Sequence, residues 1–247
     1  MRPFKNAIVD AVYVIHARRF TDRAAHMKAQ LERFEIPFEF IEPYDAETLD
    51  TEMQNRFLVR GSELSPAALS CALKHLEAMR KIAARGVRWA LVLEDDVILD
   101  KHFDEELGQI VEEAERLDHP CTIHIGSGGN MFVPGRALQP GKRIYEANGT
   151  RCTDSYLIGA KAARLRLDWF TRNEKIRLPV DHLFNLIDQE MGIRFYWSEP
   201  TIVEQGSKNG LFRSEIDEGG GGKSLRRVKL RFWWQRLRKK YIYRLLR

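Results

Sequence analysis

The sequence predicts an α/β fold: a mostly parallel, doubly wound sheet with flanking helices, followed by a C-terminal basic amphipathic helix. Three observations carry that reading. Short, largely apolar runs of strand length recur at Ala11–Ile15, Arg88–Leu93 and Thr122–Ile125. Segments with helical spacing of apolar residues separate them. The strand around Leu91 is apolar on both faces, as a sheet covered by helices on both sides requires. The resulting order, βαβ followed by αβαβ, implies parallel neighbours joined by crossovers.

The elements follow in order. Ala11–Ile15 reads as the first strand, and Thr21 can cap a helix in which Ala24, Met27, Leu31 and Phe34 form one stripe. Pro37 ends that helix and Phe38–Ile41 reads as a second strand. Residues 45–60 read as loop with a short helix. The next helix is clearly punctuated. Ser65 is a good N-cap, Pro66 sits at the first helical position, Leu69, Ala72, Leu73, Leu76, Met79 and Ala83 repeat along one side, and Gly86 stops it. Arg88–Leu93 follows as a buried strand, then a helix over Asp104–Leu117 and a strand over Thr122–Ile125. Gly126–Gly149 is rich in Gly, Pro and Asn and reads as a long functional loop with a hairpin. Ser155–Ile158 reads as a strand, Lys161–Thr171 and Asp181–Met191 as helices, and Arg194–Trp197 as the closing strand. The predicted division is a body over residues 1–218 and, over 219–247, a Gly219–Gly222 hinge with a basic tail.

Composition sets limits. The chain has 247 residues, which suits one large α/β domain with an appendage. Cys71, Cys121 and Cys152 are an odd number without CxxC spacing, which argues against a disulfide framework or a zinc site and for a reducing compartment. The apolar stretch Ala7–Ile15 is short and interrupted by Asp10, so no signal peptide is expected, and no run is long enough to span a bilayer. Charge is unevenly placed. Eleven of the 40 Lys and Arg residues and none of the 35 acids lie from Gly219 onward, leaving a mildly acidic body and a strongly basic tail.

The most informative segment is Leu91-Val92-Leu93-Glu94-Asp95-Asp96-Val97, where a buried run ends in three consecutive carboxylates. Their mutual repulsion becomes attraction around a hard divalent cation, which takes oxygen ligands and commonly bridges carboxylates to a substrate phosphate. Ligands of open α/β sheets sit beyond the carboxyl ends of the strands, where the triplet lies. Alternation sends Glu94 and Asp96 roughly to one side and Asp95 to the other. Glu94 and Asp96 are therefore the candidate ligands for Mn²⁺ or Mg²⁺, with Asp95 in support.

Here the chain resembles glycosyltransferase family 25, the bacterial lipooligosaccharide glycosyltransferases related to collagen galactosyltransferases. Three segments carry the resemblance. Val12 to Arg23, VYVIHARRFTDR, is similar to the family's V-I-N-L-x-R-R-x-D-R. Ser70 to His75, SCALKH, is similar to G-C-x-x-S-H. The carboxylate segment matches L-x-L-E-D-D-V closely. Weaker echoes are Asp154 to Ile158 and Pro179-Val180-Asp181. The resemblance covers residues 8–215. His16, Ala17, Ser70 and Lys74 depart from the pattern, at positions that bear on sugar and acceptor preference rather than on reaction class.

The resemblance implies a GT-A-like fold, a nucleotide-sugar donor such as a UDP-hexose, a divalent cation and inversion at the anomeric carbon. It also implies a lipid-linked oligosaccharide acceptor of lipopolysaccharide or lipooligosaccharide type. For donor binding the candidates are Ile15, Arg18, Arg23, His75, Glu94, Asp95, Ser127 and Gln205. Guanidinium groups match phosphate oxygens. His75 lies one turn after Cys71, and the loop around Ser127 can approach a sugar through its backbone. Lys74 reads as a solvated side chain. An inverting transfer needs a base for the acceptor hydroxyl; Asp181 is the first candidate, with helix capping as its ordinary role, and Asp154 the second.

In the tail, Leu230, Trp234, Leu237, Tyr241 and Leu245 share one helical face, and Trp233 and Tyr243 add interfacial aromatics. A basic helix of this type fits an anionic membrane surface rather than nucleic acid, and places the protein at the inner face of the cytoplasmic membrane. Two rival readings stand beside the transferase: a nucleotidyltransferase, which lacks the glycine-rich loop it would want after the first strand, and a membrane-tethered binding protein without activity.

Overall fold

The computed structural model describes residues 8–128, 130–209, 211–212 and 233–238. Its strands are β1 (Ala11–Ile15), β2 (Glu39–Ile41), β3 (Ala90–Glu94), β4 (Val97–Leu99), β5 (Cys121–His124), β6 (Ile144–Ala147), β7 (Ser155–Ile158), β8 (Arg194–Ser198) and β9 (Val203–Gln205). Its longer helices are α1 (Thr21–Arg33), α2 (Thr51–Phe57), α3 (Pro66–Arg85), α4 (Phe103–Ala114), α5 (Ala160–Asn173) and α6 (Val180–Glu190), and a single turn, α7 (Gly206–Asn209), follows β9.

Seven strands form the main sheet in the order β2-β1-β3-β7-β5-β8-β6. Five of them, β1, β2, β3, β5 and β8, run the same way, and β6 and β7 are reversed. The sheet is thus mostly parallel and covered on both faces. Strand alternation explains the two layers. Ala11, Tyr13, Ile15 and Val92 point to one side, where Leu69, Leu73, Met79 and Ile82 of α3 pack with Trp169 of α5 and Phe184 and Ile187 of α6. Val12, Val14, Leu91 and Leu93 point to the other side, against Met27 and Leu31 of α1 and Phe103, Leu107 and Ile110 of α4.

The anchor helix α3 forms where its punctuation requires. The Ser65 hydroxyl accepts the Ala68 N–H at 3.2 Å, Pro66 occupies the first turn, and Gly86 closes the helix at φ 66°. Thr21 is the first residue of α1 and not its cap; Phe20 holds that position without a side-chain hydrogen bond. The expected hairpin in Gly126–Gly149 is also absent from the described residues. β6 instead crosses to pair with β8 at the sheet edge. The antiparallel β4–β9 ladder is two three-residue strands over 100 residues apart, too short and too distant for local patterning to reveal.

Two buried ion pairs tie the C-terminal half together. Arg166 on α5 grips Asp188 on α6 through two bonds of 2.6 and 2.7 Å, donates to Thr122 at 2.8 Å and lies 3.9 Å over the Phe184 ring. Arg151 holds Glu199 at 2.9 Å. No described helix is long and apolar enough to cross a membrane. The hinge Gly219–Gly222 and the tail residues Leu230, Tyr241, Tyr243 and Leu245 lie outside the described residues.

Candidate active site

β1 and β3 are parallel neighbours in register from Ala11↔Ala90 to Ile15↔Glu94, so both end at one edge of the sheet. Beyond that edge lies a cleft of about 690 Å³, counted to its open mouth, lined among others by Ile15, Arg19, Arg23, Cys71, Lys74, Glu94, Asp95, Asp96 and Gln205. Glu94 ends β3, Asp95 and Asp96 form the turn, and β4 resumes at Val97. The three carboxylates face different partners. Asp95 turns toward the β1 side, accepting from Arg23 at 2.9 Å and lying 2.8 Å from His16 Nδ1. Glu94 faces Thr153 Oγ1 at 3.1 Å and Gln205 Nε2 at 3.4 Å. Asp96 Oδ2 accepts the Ser207 N–H at 3.2 Å, and its Oδ1 is buried with no hydrogen-bond partner.

This environment sets the charge of Asp96. Burial, and then the nearby charge of Glu94, push its carboxyl up to about 6. A buried carboxylate oxygen without a donor beside a second carboxylate is a donor set suited to a hard divalent cation, so Glu94 and Asp96 fit Mn²⁺ or Mg²⁺. Gly206 secures this corner: its N–H donates to the Asp96 carbonyl at 2.8 Å, and a Cβ there would lie 2.5 Å from that oxygen and 2.7 Å from the Phe212 ring.

The remaining predicted residues are distributed as follows. Arg23 lies in the cleft, its guanidinium 4.3 Å from the Phe20 ring centroid. Arg18 bonds Asp45 at 2.6 Å, and its neighbour Arg19 lines the cleft instead. His75 is fully buried behind the carboxylates, its Nδ1 2.9 Å from the Tyr156 hydroxyl. Ser127 is buried in a loop whose glycines serve internal packing: a Cβ at Gly126 would meet the Asp154 carboxylate at 2.4 Å, and one at Gly128 the Arg151 carbonyl at 1.8 Å. Asp154 is buried, and its carbonyl accepts the Glu94 N–H at 2.8 Å. Asp181, in the first turn of α6, is half-buried and accepts the His182 N–H at 2.9 Å. Burial, then the charges of Glu94 and Asp181, push the Cys71 thiol well up; Asp181 itself is not among the residues lining the cleft.

Lys74 corrects its expected solvation. It is buried, 2.9 Å from Asp45 Oδ1, and donates to the Glu42 carbonyl at 2.7 Å. The loop after β2 folds over α3, so the ammonium exchanges water for a carboxylate and two carbonyls. Burial lowers its pKa and Asp45 opposes the shift. Sequence reasoning also missed His16, Thr153 and Ser207 as partners of the triplet. Only His16, beside the arginines, carried a local signal.

Residues 9–128 match the family model described as glycosyltransferase family 25 (LPS biosynthesis protein). That stretch, just under half of the chain, carries a glycosyltransferase family 25 domain. The chain is 26% identical to procollagen galactosyltransferase 1 of Danio rerio over 204 residues, covering 76% of this chain and 33% of that one. It is 28% identical to lacto-N-neotetraose biosynthesis glycosyltransferase LgtB of Neisseria gonorrhoeae over 207 residues, covering 78% and 73%. It is also 28% identical to inactive glycosyltransferase 25 family member 3 of Homo sapiens over 116 residues, covering 43% and 20%. The chain spans about a third or less of the length of the procollagen galactosyltransferases and of the inactive family members it matches.

Proposed function

We propose that this protein is a metal-dependent, inverting hexosyltransferase that moves galactose from UDP-galactose to a hydroxyl of a lipopolysaccharide or lipooligosaccharide core. The observation that carries the reading is the buried, unpartnered Asp96 Oδ1 beside Glu94 in a cleft that also holds Arg23. Glu94 and Asp96 would hold the cation, which supplies Lewis-acid stabilisation to the charge developing on the departing diphosphate. Asp95 fixes Arg23 at 2.9 Å, keeping a guanidinium at the cleft for the diphosphate oxygens. Asp181 takes the proton of the acceptor hydroxyl as that oxygen bonds to the anomeric carbon, the bond to UDP breaks and UDP leaves. Asp181 suits this better than Asp154 because it is half-buried and its partner is a backbone N–H, whereas Asp154 is 1% exposed.

The tail supports a membrane-bound acceptor. Residues 233–237 are helical, and Trp233, Trp234 and Leu237 are exposed at 57%, 64% and 54%. Arg236 pairs with Glu204, the neighbour of Gln205, so this apolar turn is held beside the cleft. Aromatic and apolar side chains presented with basic ones suit an anionic leaflet at the inner face of the cytoplasmic membrane. A second reading, a nucleotide-sugar-binding protein without transfer, is favoured by the likeness to relatives named inactive.

UDP release from UDP-galactose, UDP-glucose and UDP-N-acetylhexosamines, with Mn²⁺ and with EDTA, separates them. Mn²⁺-dependent release from UDP-galactose, abolished by Asp96→Asn, supports the transferase. No release from any donor, with UDP still bound, supports the binding protein.

A further inference from the structure

We infer that the cleft wall carries a second cation site of a different chemical class: Cys71, His75 and Glu94 form a mixed sulfur, nitrogen and oxygen site for a borderline-soft ion such as Zn²⁺. The sequence argued against zinc by counting cysteines. The fold adds an imidazole and a carboxylate to one of them. Cys71 and His75 are four apart on α3 and so lie on one side of that helix, and Glu94 ends the strand it covers. One donor atom from each lies within 4.8 Å of the others.

The spacing fits the ion. Bonds of about 2.0–2.1 Å to nitrogen, 2.0–2.2 Å to oxygen and 2.3 Å to sulfur put tetrahedral donors roughly 3.4 to 3.6 Å apart. His75 Nε2 and Glu94 Oε1 already stand 3.5 Å apart. The donors lie within 4.8 Å of one another, so closing the thiol needs a movement of up to about 1.2 Å, a small torsional adjustment of the cysteine.

The surroundings of His75 are those of a ligand. The residue is fully buried, its Nε2 has no hydrogen-bond partner, and the Tyr156 hydroxyl meets Nδ1 at 2.9 Å. Such a bond on the second nitrogen fixes tautomer and ring direction, so that Nε2 can present its lone pair. Thr153 Oγ1 orients Glu94 in the same way at 3.1 Å. Cys71 and Glu94 line the cleft and His75 lies buried behind Glu94, its Nε2 3.5 Å from Oε1, so three protein ligands leave a fourth position toward the opening. The site does not depend on sugar transfer. It shares Glu94 with the oxygen site, so an ion bound here withdraws that carboxylate from a hard cation, and the stability order of divalent metals favours Zn²⁺ over Mn²⁺.

The test is cobalt titration of the full-length, metal-stripped protein, without donor or acceptor. Co²⁺ should bind with a thiolate-to-cobalt charge-transfer band in the near ultraviolet and visible bands of tetrahedral intensity. Zn²⁺ at one equivalent should bleach them, and Mg²⁺ in large excess should leave them. Cys71→Ser should abolish the charge-transfer band and His75→Gln should weaken Co²⁺ binding at least tenfold, while Cys152→Ser keeps both. Circular dichroism confirms that each variant is folded. If Cys71→Ser does not fold, covalent blocking of Cys71 in the wild-type protein, located by peptide mapping, should likewise remove the band. Absence of the band in the wild-type protein, or its survival after the loss or blocking of Cys71, overturns the assignment. Because the readout is spectroscopic, a failed transfer assay leaves this result standing, and the reverse holds too.

Discussion

Replacing Asp96 by Asn should make the metal-free protein more stable at neutral pH while removing its response to Mn²⁺. Burial and the charge of Glu94 raise the Asp96 carboxyl from 3.8 to about 6. A rise of about two units corresponds to roughly 3 kcal/mol of strain in the charged form, at 1.36 kcal/mol per unit. The sign follows from linkage. The native state holds this proton more tightly than the unfolded chain, so the stabilisation is complete below pH 3.8 and is lost as pH rises through about 6. Between pH 5 and pH 8 the wild-type protein should lose on the order of 1 kcal/mol through this group alone. Asn keeps an oxygen for the Ser207 N–H and carries no charge, but its amide must find an acceptor, so a net gain of about 1–2 kcal/mol is expected at pH 8. Urea unfolding of both proteins in EDTA at pH 5 and pH 8 reads the difference. With Mn²⁺ at 100 times its dissociation constant, the wild-type protein should gain about 2.7 kcal/mol and the variant little. A variant less stable than wild type at pH 8, with an unchanged pH dependence, would show that the Asp96 charge is not destabilising.

Four further outcomes are expected. Asp181→Asn should lower kcat by about 10²- to 10⁴-fold with UDP affinity unchanged, as loss of a general base does; an equal loss of UDP binding by titration calorimetry would place Asp181 elsewhere. Asp95→Asn should weaken UDP binding about 10- to 100-fold, because Arg23 loses a charged partner worth about 1.5–3 kcal/mol, and intact affinity would deny Arg23 its role. Asp188→Ala should destabilise the fold by about 3–5 kcal/mol in chemical denaturation, since Arg166 is fully buried and would be left with an uncompensated charge. Changing Trp233, Trp234 and Leu237 together to Ala should release the protein from anionic vesicles in a cosedimentation assay; unchanged binding would remove the tail as the membrane contact.

The sequence made legible what depends on local pattern. The cap, proline and glycine around α3 give its limits, because each acts on the neighbouring turn. The apolar run of β3 and the acids after it place the triplet at the sheet edge, because strand and turn chemistry are short-range. What it could not give is partner choice across long separations. The Asp95 contact with His16 spans 79 positions and the Thr153 contact with Glu94 spans 59, and both arise only once β1, β3 and β7 lie side by side. Lys74 illustrates the same limit, since its burial depends on a loop 32 residues earlier folding over α3. The reversal of β7 was hidden too, because a strand buried on both faces reads alike in either direction.

In the proposed mechanism, Glu94 and Asp96 hold a divalent ion that joins the protein to a nucleoside diphosphate. Titration calorimetry of UDP into the metal-stripped protein, with and without Mn²⁺, tests it most directly. Binding that strengthens at least tenfold with Mn²⁺, and loses that gain in Asp96→Asn, is the predicted result. UDP binding of equal strength in EDTA, or a Mn²⁺ effect that survives the substitution, would contradict it.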